Sequence, residues 1–265
     1  MKNVDRISLT DLYLAYPVLK SRHCPRIFPQ LIRDHILNSW EKVRELVNSA
    51  VYSVETLLLL GEDKSSSIVQ DTIQWIKQQE LEDGGWHWLP KQKLQAGVES
   101  EVWITSAVYN LLTSVNEANQ TYLNRLREYL CHSLEKIPED VKGWSRLAYV
   151  RTALLILKDP EFDFSAKTKA EKYLSKAVEE LKIQQLPSGG WIGSEKTKQG
   201  GIFQTALVLD TLIQAGLDPN DKSVKRGFTF IVQRMDKLLH AKQGGVLIQA
   251  LSIFANSLLQ LKIID

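Results

Sequence analysis

Thiols are scarce in this chain: Cys24 and Cys131 are the only two, and neither sits in a Cys-x-x-Cys or Cys/His array. That excludes a disulfide framework and a structural zinc site. An excess of charge of one sign is lacking too. Lys plus Arg number 33 against 31 for Asp plus Glu, a net of +2, so no strong field for nucleic acid or an anionic surface follows. Long hydrophobic runs are missing. Purely apolar stretches such as Leu57–Leu60 fall far short of the ~20 residues that a membrane-spanning helix needs. The opening MKNVDRISLTDLYLAYP has one early lysine and no uninterrupted apolar core, and does not read as a signal peptide. Strand signals are thin as well, with few alternating β-branched runs and no Asn-Gly or Asp-Gly hairpin between apolar segments.

What remains is ordinary globular material, 44% hydrophobic and 24% charged. Residues 1–265 are expected to form a single domain in a cytoplasmic protein. Apolar residues recur at three and four positions, as amphipathic helices require. Five segments share a small or polar residue, then Ala, then a mostly apolar helix: Ser49-Ala50, Ser106-Ala107, Thr152-Ala153, Thr205-Ala206 and Gln249-Ala250. They recur at a period of about fifty residues. More polar helices are expected between them, over Ser65–Glu80, Gln120–Lys136, Ser165–Gln184 and Asp221–Leu239. A helix that is apolar nearly all round must be enclosed, whereas one with a charged face lies outside. The pattern therefore predicts stacked helical hairpins: an all-α (α/α) barrel, or toroid, of five to six hairpins with inner and outer helices alternating. Helices near Leu9–Lys20 and Pro29–Ser39 would supply the sixth hairpin.

Two connections carry a sharper signal. Gln79-Glu80-Leu81-Glu82-Asp83-Gly84-Gly85-Trp86 follows one outer helix, and Gln184-Gln185-Leu186-Pro187-Ser188-Gly189-Gly190-Trp191 follows another. Glycines accept the backbone of a helix stop, and the Trp folds back over the helix end. A third outer helix opens Arg226-Gly227-Phe228-Thr229-Phe230-Ile231, and Gln204-Thr205-Ala206 begins an inner helix. These residues resemble the QW motifs of squalene–hopene cyclases and related class II terpene cyclases. The copies are degenerate: Glu80 stands where the motif has Gln, no aromatic precedes Gln185 at its place, and no Gly-x-Trp follows the third. The (α/α) barrel is shared with protein prenyltransferases.

The resemblance implies an isoprenoid substrate and acid-initiated cyclisation, in which the middle Asp of an Asp-x-Asp-Asp motif protonates an alkene in an aromatic cavity. The sequence has no Asp-x-Asp-Asp. The best-placed segment is Glu99-Ser100-Glu101-Val102-Trp103-Ile104-Thr105. Aligning Thr105 with the Thr of the family pattern puts Glu101 on the first Asp and Trp103 on the catalytic one. Helical residues two apart point about 200° away from each other, so Glu101 does not simply replace an acid at Trp103. Two carboxylates at a helix start are also what the macrodipole selects. Glu101 and Glu99 are the candidate catalytic acids. Trp103, Tyr52, Tyr109, Tyr149, Trp86 and Gln204 are the candidate ligand-lining residues, with Glu55 and Arg151 nearby.

Other chemistries fit less well. No Asp-Asp-x-x-Asp cluster is present for magnesium and diphosphate. Aligned on the zinc site of protein prenyltransferases, the ligand positions become Gly200 and Ile202, neither of which can bind metal. No cofactor and no metal are expected. Asp34-His35 diverge by about 100° on a helix and suit a surface better than an acid–base pair. His87, between Trp86 and Trp88, reads as a turn-closing residue or a ligand contact. Two functions stay open: a terpene-cyclase-like enzyme, or a catalytically silent repeat protein that binds a prenyl or lipid ligand or a protein partner. The expected partner is a hydrophobic isoprenoid small molecule, with peripheral membrane contact compatible and nucleic acid not.

Overall fold

The computed structural model describes residues 33–34, 36–38, 40–137, 143–192, 200–218 and 220–240. Among them, eight helices longer than one turn alternate in character. Four are mostly apolar: α1 (Val47–Leu59), α3 (Val102–Ser114), α5 (Gly143–Lys158) and α7 (Ile202–Gln214). Four carry a charged face: α2 (Ser67–Gln78), α4 (Gln120–Glu135), α6 (Phe164–Ile183) and α8 (Lys222–His240). The outer helices match the sequence expectation closely at both ends, because capping groups mark them. The Asp163 carboxylate accepts from Ala166 N at 2.7 Å, and the Asn119 side chain accepts from Tyr122 N at 3.0 Å. Helix α5 begins at Gly143, well before the Thr152-Ala153 pair that announced it. The segment at Ala250 and the helix expected over Leu9–Lys20 lie outside the described residues. Of the Pro29–Ser39 helix, residues 33–34 and 36–38 are described, and they are helical.

The chain forms two compact units, one from Pro29 to Tyr173 and one that includes the stretch from Leu174, with the boundary inside α6. In the first, α1, α3 and α5 pack side by side, α2 covers α1, and α4 covers α3 and α5. The covering helices bury one stripe each: Val69, Ile73 and Ile76 on α2, and Leu123, Leu126 and Leu130 on α4. The middle row buries residues on several sides, including Val51, Val54 and Leu57, Ile104, Val108 and Leu111, and Val150 and Ile156. Each such side chain contributes about 1.5–3 kcal/mol of transfer free energy. Small polar residues bring the row together. Ser106 Oγ and Thr152 Oγ1 share a hydrogen bond of 2.6 Å between α3 and α5.

In the second unit α8 packs on α7, and a short antiparallel ladder joins β1 (Trp191–Ile192) to β2 (Gly200–Gly201), with Trp191 opposite Gly201. Its core holds Ala206, Leu209, Leu212, Val224, Phe230 and Ile231.

Three inner helices end in the same way. Gly61, Asn116 and Gly216 take left-handed φ values of 91°, 60° and 88°. The next residue donates back across the turn, Glu62 N to Leu57 O at 2.9 Å, Glu117 N to Leu112 O at 3.0 Å and Leu217 N to Leu212 O at 3.1 Å. This Schellman closure satisfies carbonyls that the helix leaves orphaned.

Candidate functional site

The two Gly-Gly-Trp turns hold their tryptophans by the same bonds. Trp86 Nε1 donates to Ile76 O at 2.7 Å, and Trp191 Nε1 donates to Leu181 O at 2.6 Å. Each backbone N–H of these tryptophans donates to a threonine hydroxyl, Trp86 to Thr105 at 3.0 Å and Trp191 to Thr205 at 3.1 Å. Those hydroxyls donate in turn to Glu101 O at 3.0 Å and Gly201 O at 2.6 Å. A Cβ on Gly85 would meet Thr105 Oγ1 at 2.8 Å, and one on Gly190 would meet Phe230 Cζ at 2.6 Å, so both positions exclude a side chain. Trp86 is fully buried in this framework.

A further part of the motif escaped the sequence reading. Arg125 and Tyr129-Leu130 on α4 repeat the pattern of Arg226 and Phe230-Ile231 on α8. Arg125 Nη2 donates to Glu80 Oε1 at 2.9 Å, and Arg226 Nη2 donates to Leu186 O at 2.8 Å. Each arginine ties the start of one outer helix to the end of the preceding one.

The copies differ where chemistry was expected. Glu101 is the residue that precedes α3, in extended backbone, at the place that Gly201 takes before α7. Its N–H donates to Trp86 O at 2.7 Å. The carboxylate bends back over the helix start: Trp103 Nε1 donates to Oε2 at 2.6 Å, and His87 Nε2 lies 3.7 Å from Oε1. His87 Nδ1 accepts from Leu89 N at 3.0 Å, which assigns the proton of the neutral ring to Nε2. The Glu101 side chain is 34% exposed, Trp103 is 36% exposed, and Glu99 is exposed in the loop before α3.

The other candidates separate. Tyr52 and Tyr109 follow the Ala50 and Ala107 pairs alike, yet they face different ways. Counting back from the left-handed residues Gly61 and Asn116, Tyr52 corresponds to Ala107, and Glu55 corresponds to Asn110. The shift of two residues turns Tyr109 about 200° round its helix. It is buried at 1% exposure, with its hydroxyl donating to Asp159 Oδ2 at 2.5 Å and accepting from Arg127 Nε at 2.8 Å. Burial and the Asp159 bond push its phenol well above the ordinary range. Tyr149 is half-buried on α5; burial and the neighbouring Tyr129 of α4 raise its phenol. Gln204 is half-buried in the first turn of α7 in the second unit.

Tyr52 belongs to a polar group that spans the middle row. Asn110 Nδ2 donates to Glu55 Oε1 at 2.8 Å, joining α3 to α1. Burial, then the Glu55 charge, push the Tyr52 phenol up to about 12, with Arg151 of α5 acting the other way. Glu55 is 6% exposed, whereas Asn110 and Arg151 are exposed. Asp210 on α7 holds the corresponding place when counted from Gly216, and its Oδ2 accepts from Gln214 Nε2 at 2.8 Å. A polar residue thus recurs at the same count from the helix end in α1, α3 and α7, a signal visible only once the helix ends are aligned. No three His, Cys, Asp or Glu side chains come together as a metal cluster would require among the described residues. No described helix is long and apolar enough to cross a membrane.

No protein-family model matches the sequence, and no curated protein does so either. Solved structures do match. The type II terpene cyclase MstE from Scytonema in complex with geranylgeranyl dihydroxybenzoate, its substrate, is 14% identical, with a TM-score of 0.57 over 94% of this chain and 85% of that one. MstE in complex with its product, merosterolic acid A, matches with the same values. An apo form is 13% identical, with a TM-score of 0.58 over 95% of this chain and 85% of that one. At this identity the likeness speaks for architecture alone: the chain has the all-α, (α/α) toroid fold found in type II terpene cyclases.

Proposed function

We propose that the chain binds an apolar, isoprenoid-like small molecule against its inner helices and does not cyclise it. The observation that carries this reading is the state of Glu101. Its Oε2 accepts from Trp103 Nε1 at 2.6 Å, Oε1 lies 3.7 Å from His87 Nε2, and a third of the side chain is open to water. Protonation of an alkene asks for the opposite, a dry carboxylic acid with its own proton aimed at carbon. Ligand binding draws support from the fold, since the similar terpene cyclase holds a geranylgeranyl compound.

The test is to titrate the full chain with farnesol, geranylgeraniol and squalene, follow tryptophan fluorescence, and search the mixtures for cyclic products by mass spectrometry. Saturable quenching without new product is expected. A cyclised product overturns the reading. A second reading, in which Glu101 or Glu99 is the acid that starts a cyclisation, is favoured by the place of Glu101 at the start of an inner helix. It requires product that disappears in Glu101→Gln or Glu99→Gln.

A further inference from the structure

The middle row of the first unit has a face that α2 and α4 leave open. On α3 this face returns at every turn: Trp103 and Asn110 are exposed, and Ser106 and Ala107 between them are half-buried. On α5 it carries Arg151, exposed, and Ala148, half-buried, one turn before it. Tyr52 of α1, also half-buried, belongs to it, because its phenol feels the charge of Arg151 although α3 lies between the two helices.

The face changes character along its length. Beside the helix starts it offers the indole of Trp103 and the methyl groups of Ala107 and Ala148. Asn110 stands two turns beyond Trp103, ~10 Å along the helix. There Glu55, 6% exposed, accepts from Asn110 Nδ2 through Oε1 at 2.8 Å. The bond fixes the plane of the amide and turns its Oδ1 into an oriented acceptor. Charge around this level is mixed. Glu55 and Arg151 act on the Tyr52 phenol in opposite senses. Arg151 lies about one turn nearer the helix starts than Asn110, since Thr152 beside it bonds Ser106. Lys158 is exposed at the end of α5.

These groups select a head group. A bare hydrocarbon covering the face takes water from Asn110 and supplies no hydrogen bond in return. A carboxylate or phosphate at Asn110 comes beside the buried Glu55 carboxylate, and repulsion there offsets the attraction of Arg151. A hydroxyl meets neither penalty, because it donates to Asn110 Oδ1 and carries no charge. We propose that the open face takes a prenyl alcohol, its chain beside Trp103 and its hydroxyl at Asn110, with Glu55 as the positioning residue that holds the amide. The proposal rests on the ligand reading above and names the head group which that reading leaves open.

The test titrates the full chain with geranylgeraniol, its methyl ether, geranylgeranoic acid and squalene, read by tryptophan fluorescence at about pH 8, where the acid is anionic. The alcohol is expected to bind at least about tenfold tighter than the ether, which cannot donate, and than squalene, which has no head group. The acid binds more weakly than the alcohol. Asn110→Leu, at an exposed side chain, brings the alcohol and the ether to equal affinity. Glu55→Leu does the same, whereas Glu55→Gln keeps an acceptor for the amide and keeps the preference; a merely structural role for Glu55 would weaken alcohol and ether together. Where a variant fails to fold, the ranking of the four compounds on the unaltered chain decides alone. Equal binding of alcohol, ether and squalene, tightest binding of the acid, or an undiminished preference in Asn110→Leu overturns the hydroxyl assignment and leaves the ligand reading standing. Binding of none of the four removes both.

Discussion

Replacing Thr105 by valine removes one oxygen and almost nothing else, and the structure says what that oxygen does. Thr105 Oγ1 accepts the Trp86 N–H at 3.0 Å in a buried setting and donates to Glu101 O at 3.0 Å. Glu101 O keeps a second partner, the Thr105 N–H at 3.0 Å, so that carbonyl is not orphaned by the change. The Trp86 N–H is. Leaving a buried donor unpaired costs about 1–3 kcal/mol, and valine fills the same volume, so no cavity adds to it. We expect Thr105→Val to lose about 2 kcal/mol. Thr105→Ser keeps the oxygen and loses one methyl group, for about 1 kcal/mol. Urea unfolding followed by circular dichroism, with the three proteins at equal pH and salt, reads the difference from the midpoints at constant slope. Thr205→Val should behave alike in the second copy, because Trp191 N–H donates to Thr205 at 3.1 Å. If serine costs as much as valine at position 105, or if valine costs nothing, the hydroxyl does not hold the turn and the equivalence of the two copies loses its physical basis.

Gly190→Ala should be strongly destabilising, since the new methyl would lie 2.6 Å from Phe230 Cζ; a loss above about 2 kcal/mol in the same assay, relieved in part by adding Phe230→Leu, is expected. Asn116→Ala places alanine at φ 60° and should cost about 1 kcal/mol, whereas Asn116→Gly should leave stability unchanged or improve it. Burial acts to raise the Glu117 carboxyl, but its bond to the Lys77 ammonium and the Asn119 N–H outweigh burial and hold it below the usual range. A depressed native value contributes stability that is present above the unfolded pKa and lost as pH falls through the native one. Lys77→Met should therefore flatten the acid limb of a plot of Tm against pH, and an unchanged limb would rule this pair out as its source.

Local chemistry made much of the fold legible in the chain alone. The alternation of apolar and charged helices needs only the helical period, and the outer helix ends are marked by Asn119, Asp163 and the two Gly-Gly-Trp stops, whose signals act within a few residues of themselves. The left-handed Asn116 was equally readable as a helix stop, and would have set the inner helices in register. What remained hidden depends on neighbours far along the chain. Aligning the Ala pairs made Tyr52 and Tyr109 equivalent, but packing against Asp159 and Arg127 turned Tyr109 away, while Tyr52 stayed beside Glu55 and Arg151. Glu55 and Asn110 meet only because α1 and α3 lie side by side. Glu101 read from sequence as a helix-start acid and a candidate catalytic acid; the bond it accepts from Trp103 and its place near His87 were decided by a loop folding back over the start of α3. Periodicity determines which face of a helix is buried, but which polar groups meet across helices depends on how the ends are staggered, and that is a property of the packed chain.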